Sequence, residues 1–569
     1  MKPVIEFKDV TFQYKVQTKP TLHDINLTIY EGEKVLILGP SGSGKSTLAG
    51  CINGVVPFLE SGKITGSCKV NGVETSSSSV FNLSECVGTV LQDSDAQFVG
   101  ITVGEDIAFS LENKDVPRPE MLSKVLHNAT IVGMEDFLGQ VPYSLSGGQK
   151  QKVALAGVMN EDVNILIFDE PLAALDPQMG MTAVDLIDHI AKETNKTTII
   201  IEHRLEDVLY RHVDRIVLMA EGHIVADVTP EELLRSKLLE ENGIRNPLYL
   251  TAMKYAGCDL KEQESIADIY GMELTENNKA KLCQFFGQDA IEKEASTKDE
   301  IIRIEDVSFS YDGTIDALNN ASCTIREGEK VAFIGKNGAG KTTLARVICG
   351  FYRPLQGKIF LKGENYLNYS IKEIGERIGY VMQNPNQMLV KDIIIEEVQT
   401  ALRLRGYSEE EMNERVEKTL RMCDLYKMRN WPVSSISYGQ KKRVTVAAIL
   451  ALEPDTIILD EPTAGQDYKH YTEIMDFINQ LNKEFGITVI LITHDMHLAI
   501  EYTDRAVVFS DSEIIADDKV FKVLSDDSVI KKANLKQTSL YELAMKIGMA
   551  PEKCISRFIS YEREVGVHE

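Results

Sequence analysis

The chain is expected to be an α/β protein in which one domain design occurs twice. Two observations carry that expectation. Gly39-Pro40-Ser41-Gly42-Ser43-Gly44-Lys45-Ser46 and Gly335-Lys336-Asn337-Gly338-Ala339-Gly340-Lys341-Thr342 both fit the pattern G-x-x-x-x-G-K-[ST], their lysines 296 residues apart. Three more motifs follow each in the same order. Leu145-Ser146-Gly147-Gly148-Gln149 recurs as Ile436-Ser437-Tyr438-Gly439-Gln440, Asp169-Glu170-Pro171 as Asp460-Glu461-Pro462, and His203 as His494, each at an offset of 291. The second observation is the run of short apolar segments around them, rich in branched residues, which read as buried parallel strands alternating with helical patterns.

Taken in chain order, Val4-Ile5-Glu6-Phe7 and Ile301-Ile302-Arg303-Ile304 open the halves as strands, followed by the aromatic turns Phe12-Gln13-Tyr14 and Phe309-Ser310-Tyr311. Val35-Leu36-Ile37-Leu38 and Val331-Ala332-Phe333-Ile334 are strands ending in the glycine-rich loops. The serine run Ser76–Ser79 reads as a surface loop. Ile165-Leu166-Ile167-Phe168 with Ile457-Ile458-Leu459, and Thr198-Ile199-Ile200-Ile201 with Val489-Ile490-Leu491-Ile492, supply further buried strands. Leu248–Lys254 recurs as Leu540–Lys546 at an offset of 292, so each half carries an appendage of short amphipathic helices. Two readings of the appendages stand: packing on their own domain, or contact between the halves. The linker is placed near Gln288–Asp299, and the domains at 1–232, 233–299, 300–525 and 526–569.

The 569 residues leave room for two large domains, and 43% hydrophobic with 26% charged residues is an ordinary globular composition. No uninterrupted apolar run of membrane-spanning length occurs, and Met1–Phe7 lacks the apolar stretch of a signal peptide. The nine cysteines are scattered without a C-x-x-C pair, as expected for thiols in a reducing compartment. A net charge of −25 argues against broad nucleic-acid binding, which needs basic surface to displace counterions.

The loop glycines let backbone N–H groups face phosphates, and the following helix adds its positive end. Lys45 and Lys341 are expected on the β- and γ-phosphates of ATP, with Ser46 and Thr342 on Mg²⁺. Asp169 and Asp460, at strand ends, would help hold the hydrated Mg²⁺. Glu170 and Glu461 would polarise the attacking water. Retention of both glutamates points to hydrolysis rather than binding alone.

The motif order resembles the ATP-binding cassette (ABC) ATPase family. That resemblance implies, for each half, a RecA-like core, an antiparallel β subdomain and a helical subdomain. It implies ATP contacts from Gly39, Ser41, Gly42, Gly44, Lys45, Ser46 and Thr47 in the first loop, and from Gly335, Asn337, Gly338, Gly340, Lys341, Thr342 and Thr343 in the second. Tyr14 and Tyr311 would stack on adenine, His203 and His494 would sense the γ-phosphate, and Gln92 and Gln383 would meet Mg²⁺ and water. Two composite sites are implied: ATP on Lys45 capped by Ser437 and Gly439, and ATP on Lys341 capped by Ser146 and Gly148. The second copy departs from the family at Tyr438, where glycine is usual; the side chain either weakens closure or points away. Gly465-Gln466-Asp467 likewise departs from the pattern that Ala174-Leu175-Asp176 keeps, so the two sites are expected to be unequal.

Within the family, the likeness is to the ATPase of energy-coupling factor (ECF) transporters. It rests on Gln383-Asn384-Pro385-Asn386-Gln387, its looser copy Gln92-Asp93-Ser94-Asp95-Ala96-Gln97, and Thr102-Val103-Gly104-Glu105-Asp106-Ile107-Ala108-Phe109. Ser437-Tyr438-Gly439-Gln440 resembles variants common there. The resemblance implies a transmembrane scaffold subunit and a small substrate-binding membrane subunit as partners. It implies coupling-helix grooves near Gln92–Phe109 and Gln383–Val398, a place on the cytoplasmic face of the membrane, and a vitamin, vitamin precursor or metal ion as cargo. No nucleic-acid partner is expected. Two alternatives remain at this level: the ATPase of a conventional ABC importer or exporter, and a soluble tandem ATPase acting on ribosomes. The basic helical linker or iron–sulfur cysteines usual in the ribosomal group, the damaged second loop of sugar importers and the zinc cysteines of DNA-repair relatives are not seen in the sequence.

Overall fold

The computed structural model describes the chain except residues 1, 92–96, 146, 161–162, 174, 289–297, 315, 464–465, 467 and 566–569. It divides into two compact units, Met1–Thr251 with Asp259–Thr275, and Ala252–Cys258 with Glu276–Glu569.

In the first unit, β1 (Pro3–Tyr14), β2 (Leu22–Tyr30), β4 (Gly62–Val70) and β5 (Val73–Glu74) form an antiparallel sheet in the order β2-β1-β4-β5. A second sheet has the order β10-β9-β3-β8-β7-β6, from β3 (Lys34–Leu38), β6 (Val87–Val90), β7 (Ile165–Asp169), β8 (Thr197–Glu202), β9 (Arg215–Ala220) and β10 (His223–Val228). Its pairs are parallel except β9 with β10. Branched residues on both faces of β3, β7 and β8 are buried, as strands covered from both sides require. The core between the two sheets joins Ile5, Phe7 and Phe12 to Leu48, Ile52, Ile167 and Ile199.

The second unit repeats this plan. β11 (Glu300–Ser310), β12 (Asp316–Arg326), β14 (Gln356–Leu361) and β15 (Glu364–Asn365) make the antiparallel sheet. β13 (Lys330–Gly335), β16 (Ile378–Val381), β17 (Thr456–Asp460), β18 (Thr488–Ile492), β19 (Arg505–Ser510) and β20 (Glu513–Lys519) order as β16-β17-β18-β13-β19-β20. In both units the phosphate-loop strand is central and its loop leaves the carboxyl end, where ligands bind in open α/β sheets. A helical group follows in each: Val103–Asn113, Arg118–Val132 and Gly147–Met159 in the first, Ile394–Leu404, Glu409–Met422 and Tyr438–Leu450 in the second.

Two local expectations are corrected. Phe12-Gln13-Tyr14 is not a turn but the end of β1, because pairing with β4 continues through Phe12↔Ile64, Gln13↔Lys63 and Tyr14↔Gly62; Phe309 and Ser310 likewise end β11. The serine run is not an open loop. Thr75–Ser77 is a 3₁₀ turn, and Ser79 caps the helix Val80–Ser84 by accepting from the Asn82 N–H at 3.1 Å.

The appendages divide. Tyr249 packs in the first unit and its hydroxyl donates to the Ile266 carbonyl. Ala252–Cys258 and the helix Glu276–Gly287 belong to the second, beside the helices Ser539–Ile547 and Pro551–Val565. There the Tyr255 hydroxyl donates to Glu562 at 2.8 Å, and the rings of Tyr255 and Phe285 lie 4.8 and 5.2 Å from that of Tyr561. Most of the predicted linker lies outside the described residues.

Candidate functional site

Each phosphate loop enters its helix through a left-handed glycine, Gly44 at φ 98° before Lys45–Asn53 and Gly340 at φ 106° before Lys341–Ile348. A Cβ at Gly44 would come within 2.8 Å of Leu22 and one at Gly340 within 2.7 Å of the Ala317 carbonyl, so both backbone angle and space demand glycine. Lys45 is buried, and its ammonium donates to the loop's own Gly39 and Pro40 carbonyls at 2.8 and 2.9 Å. Lys341 does the same to Gly335 and Lys336 at 2.7 and 2.8 Å. The loop is therefore shaped around its lysine. Ser41, Gly42, Asn337 and Gly338 are exposed on its outer side.

The hydroxyls and strand-end carboxylates meet as expected. Ser46 donates to Asp169 at 3.3 Å and Thr342 to Asp460 at 3.1 Å. The tyrosines are tied to the loop helix through the hydroxyl: Tyr14 shares a 2.9 Å hydrogen bond with Thr47, and Tyr311 a 3.1 Å one with Thr343. Their rings stand edge-on to Phe12 and Phe309.

Glu170 and Glu461 both adopt left-handed backbone, φ 47° and 44°, a strained state held by hydrogen bonds from their N–H groups to the Ile201 and Ile492 carbonyls. From here the two sites differ. Glu461 lies 2.8 Å from His494 Nδ1. Burial opposes ionisation of Glu461, but the hydrogen bond and charge of His494, with Lys341 and Lys442, hold its carboxyl below the usual range. In the first unit His203 Nδ1 is 3.9 Å from Glu170 and 3.7 Å from Glu202. Glu202 is fully buried and accepts from the N–H groups of Leu172, His203 and Arg204. The second unit has Thr493 in its place.

The strand-end aspartates also differ in support. Asp460 accepts from both Thr342 and the Tyr380 hydroxyl, with the Arg346 guanidinium beside Tyr380. The corresponding positions of the first unit are Thr89, which accepts from Asn53 instead, and Gly50. Asp169 is pushed up to about 6, by burial first and then by the neighbouring Glu170 charge. A carboxyl whose folded pKa exceeds its unfolded one favours folding fully only below about pH 4, and the benefit is lost as pH rises through about 6. Asp169→Asn is therefore expected to raise the thermal midpoint of the protein without nucleotide or Mg²⁺ by a few degrees above pH 6. The gain should shrink toward pH 4, as thermal scans across that range would show.

Ser437 caps the helix Tyr438–Leu450, accepting from the Gln440 N–H at 3.2 Å, and Gly439 sits in its first turn. Tyr438 points neither at random nor into the helix: its hydroxyl donates to the Gln383 carbonyl at 3.2 Å. Lys441 donates to Asn386 at 3.1 Å. Gln383 is exposed, and among the described residues no hydrogen bond joins its side chain to Thr342 or Asp460. Gly148 lies in the first turn of Gly147–Met159, where a Cβ would collide with Met179. Gln92, Ser146, Ala174, Gly465 and Asp467 lie outside the described residues. Gln466 is buried with neither amide atom hydrogen-bonded. Glu202, Tyr380, Arg346 and Lys442 were not singled out in the sequence. Glu202 had a signal, a lone acid closing the apolar run before His203.

An ABC transporter family model matches residues 22–173 and 318–464, and a model described as ATP-binding cassette cobalt transporter matches residues 236–309. A protein of Clostridium perfringens named as an ABC transporter ATP-binding protein is 54% identical over 99% of both chains. One of the same description from Enterococcus faecalis is 52% identical, again over 99% of both. A solved structure of cbiO1 from Clostridium perfringens, described as part of the ABC transporter complex cbiONQ, is 32% identical over 44% of this chain and all of its own, with a TM-score of 0.39. The chain belongs to the ABC transporter ATP-binding family: it is an ATP-hydrolysing subunit with two ABC cassettes in one polypeptide, and it resembles the ATP-binding subunits of ECF transporters.

Proposed function

We propose that this subunit powers ECF-type uptake of a vitamin, vitamin precursor or metal ion, seated peripherally on the cytoplasmic face of the membrane against a scaffold subunit and a small substrate-binding subunit. The observation that carries this reading is the tie between the Gln383–Gln387 stretch and the signature helix. Tyr438 and Lys441 at the start of that helix grip Gln383 and Asn386. Displacement of the exposed stretch is thereby transmitted to Ser437 and Gly439. Exposed Val390 beside it, and exposed Val99, Ile101 and Phe109 in the first cassette, supply apolar surface for membrane-subunit helices. The match of residues 236–309 to a cobalt-transporter model supports the ECF assignment. No helix among the described residues is long and apolar enough to cross a membrane.

In each site the lysine binds the β/γ-phosphates and the glutamate orients water against the γ-phosphorus. The water oxygen bonds to phosphorus, the β–γ bridging bond breaks, and ADP carries away the bridging oxygen. Glu170 or Glu461 takes up the water proton, and His203 or His494 holds the transferred phosphoryl. The oxygen-only pairs Ser46–Asp169 and Thr342–Asp460 suit Mg²⁺, which would neutralise phosphate charge when bound. The cassettes act as a pair, each ATP meeting the other cassette's signature serine and glycine, so that hydrolysis releases them.

The test is affinity purification of the tagged chain from detergent-solubilised native membranes, with mass spectrometry of the partners. Recovery of a multi-span scaffold with a small, very hydrophobic subunit is the expected result. Recovery of ribosomal proteins, or of no membrane protein, would overturn the transport reading.

A further inference from the structure

We propose that Glu202 and Arg204 are positioning residues of the first cassette, which together clamp the turn carrying Glu170 to the turn carrying His203. The proposal rests on the reading of Glu170 as the residue that orients the attacking water. Glu202 is the last residue of β8 and is fully buried. A buried carboxyl group persists only where hydrogen bonds replace water.

Here those bonds come from the backbone of both turns. Leu172, two residues after Glu170, donates its N–H to one oxygen of Glu202 at 3.0 Å. His203 and Arg204 donate theirs to the other oxygen at 3.0 and 3.3 Å. Arg204 completes the grip: its guanidinium donates to the Leu172 carbonyl at 3.2 Å, and a 2.8 Å bond to Asp207 fixes its direction. Both polar groups of the Leu172 backbone are thus held by side chains of the His203 turn.

The second cassette builds the same strand end with Thr493 and Asp495 at these positions. Thr493 accepts from the Asp495 N–H at 2.9 Å, and Asp495 caps the helix Met496–Tyr502 by accepting from the His497 N–H at 2.8 Å. The fold of the strand end therefore does not require the buried acid. What differs is the catalytic pair. Glu461 reaches His494 directly at 2.8 Å, while Glu170 and His203 stand 3.9 Å apart. Where that direct bond is missing, the clamp keeps the two turns fixed on each other, so that ATP has only side chains to align and no backbone to move. The role matters because a misplacement of about 1 Å can cost up to about 10²-fold in rate.

The test uses the full chain carrying Glu461→Gln, so that only the first site turns over. In Glu202→Gln the amide oxygen keeps the two donors of the His203 turn, and its NH₂ then faces the Leu172 N–H and breaks the link between the turns. Adding this substitution is expected to lower kcat about fivefold with the KM for ATP unchanged. Hydrogen exchange at the Leu172 amide should become faster in step. Should that variant not fold, Arg204→Met, which releases the Leu172 carbonyl, is expected to show the same split at about twofold. An unchanged kcat, a KM that rises with the loss, or a loss without faster exchange at Leu172 would overturn the proposal. Glu170→Gln with Glu461→Gln serves as the reference. If that protein turns over as fast as Glu461→Gln alone, the reading of Glu170 fails; if it is slower while Glu202→Gln matches its parent, only the clamp fails.

Discussion

Glu461→Gln is expected to remove most of the ATP turnover of the chain, about tenfold in steady-state rate, and Glu170→Gln only about two- to threefold. The asymmetry follows from the carboxylate–histidine geometry. Glu461 sits at hydrogen-bond distance from His494, whereas His203 is held between Glu170 and the buried Glu202 at distances too long for either bond. On the proposed mechanism, a water oriented by Glu461 would therefore meet a histidine already aligned with it. In the first cassette, alignment must be gained when ATP binds. Tyr380 and Arg346 brace Asp460 in the second site, and their counterparts Thr89 and Gly50 leave Asp169 to Ser46. The double variant should fall by at least about 10²-fold, since neither site then carries its carboxylate. Steady-state phosphate release from the purified chain checks all three, and equal losses from the two single variants would contradict the asymmetry.

Lys45→Ala and Lys341→Ala are expected each to abolish ATP binding at one site, weakening it by about 10²-fold or more. The size of the effect comes from two roles carried by one ammonium. Before nucleotide arrives it crosslinks the loop through the Gly39 and Pro40 carbonyls, or Gly335 and Lys336 in the second cassette. With nucleotide present it would, on the proposed reading, supply the buried cation for the β- and γ-phosphates. Alanine removes the charge and relaxes the loop together. A fluorescent ATP titration should therefore show one site lost in each single variant and both in the double, with the other cassette's affinity retained.

Much of this was legible in the sequence for a physical reason. A phosphate loop needs glycine at Gly44 and Gly340 and a lysine at fixed spacing, so its chemistry is written locally. Strands buried on both faces, such as Ile165–Asp169 and Thr488–Ile492, announce themselves as continuous branched runs. What depends on distant partners was not readable. The end of β1 looked like an aromatic turn because its pairing with β4 is set some 50 residues away in the chain. The repeated appendage motif left open whether Ala252–Cys258 packs with the first unit or the second, since an amphipathic helix does not name the surface it covers. The inequality of the sites was expected from Tyr438 and from Gly465-Gln466-Asp467. Tyr438 instead binds the Gln383 carbonyl. The difference within the described residues lies in Glu202 against Thr493 and Thr89 against Tyr380. These pairs sit outside the short motifs, and only the fold brings them to the carboxylates.

The central claim is that one chain carries two complete ATP sites, each able to hold nucleotide and each finished by its own glutamate. The direct measurement is the number of radiolabelled ATP molecules retained per chain, after rapid removal of free nucleotide, by the protein bearing Glu170→Gln and Glu461→Gln. The account predicts two ATP per chain, falling to one when either Lys45→Ala or Lys341→Ala is added. Retention of a single ATP that only one of these lysine variants removes would contradict it.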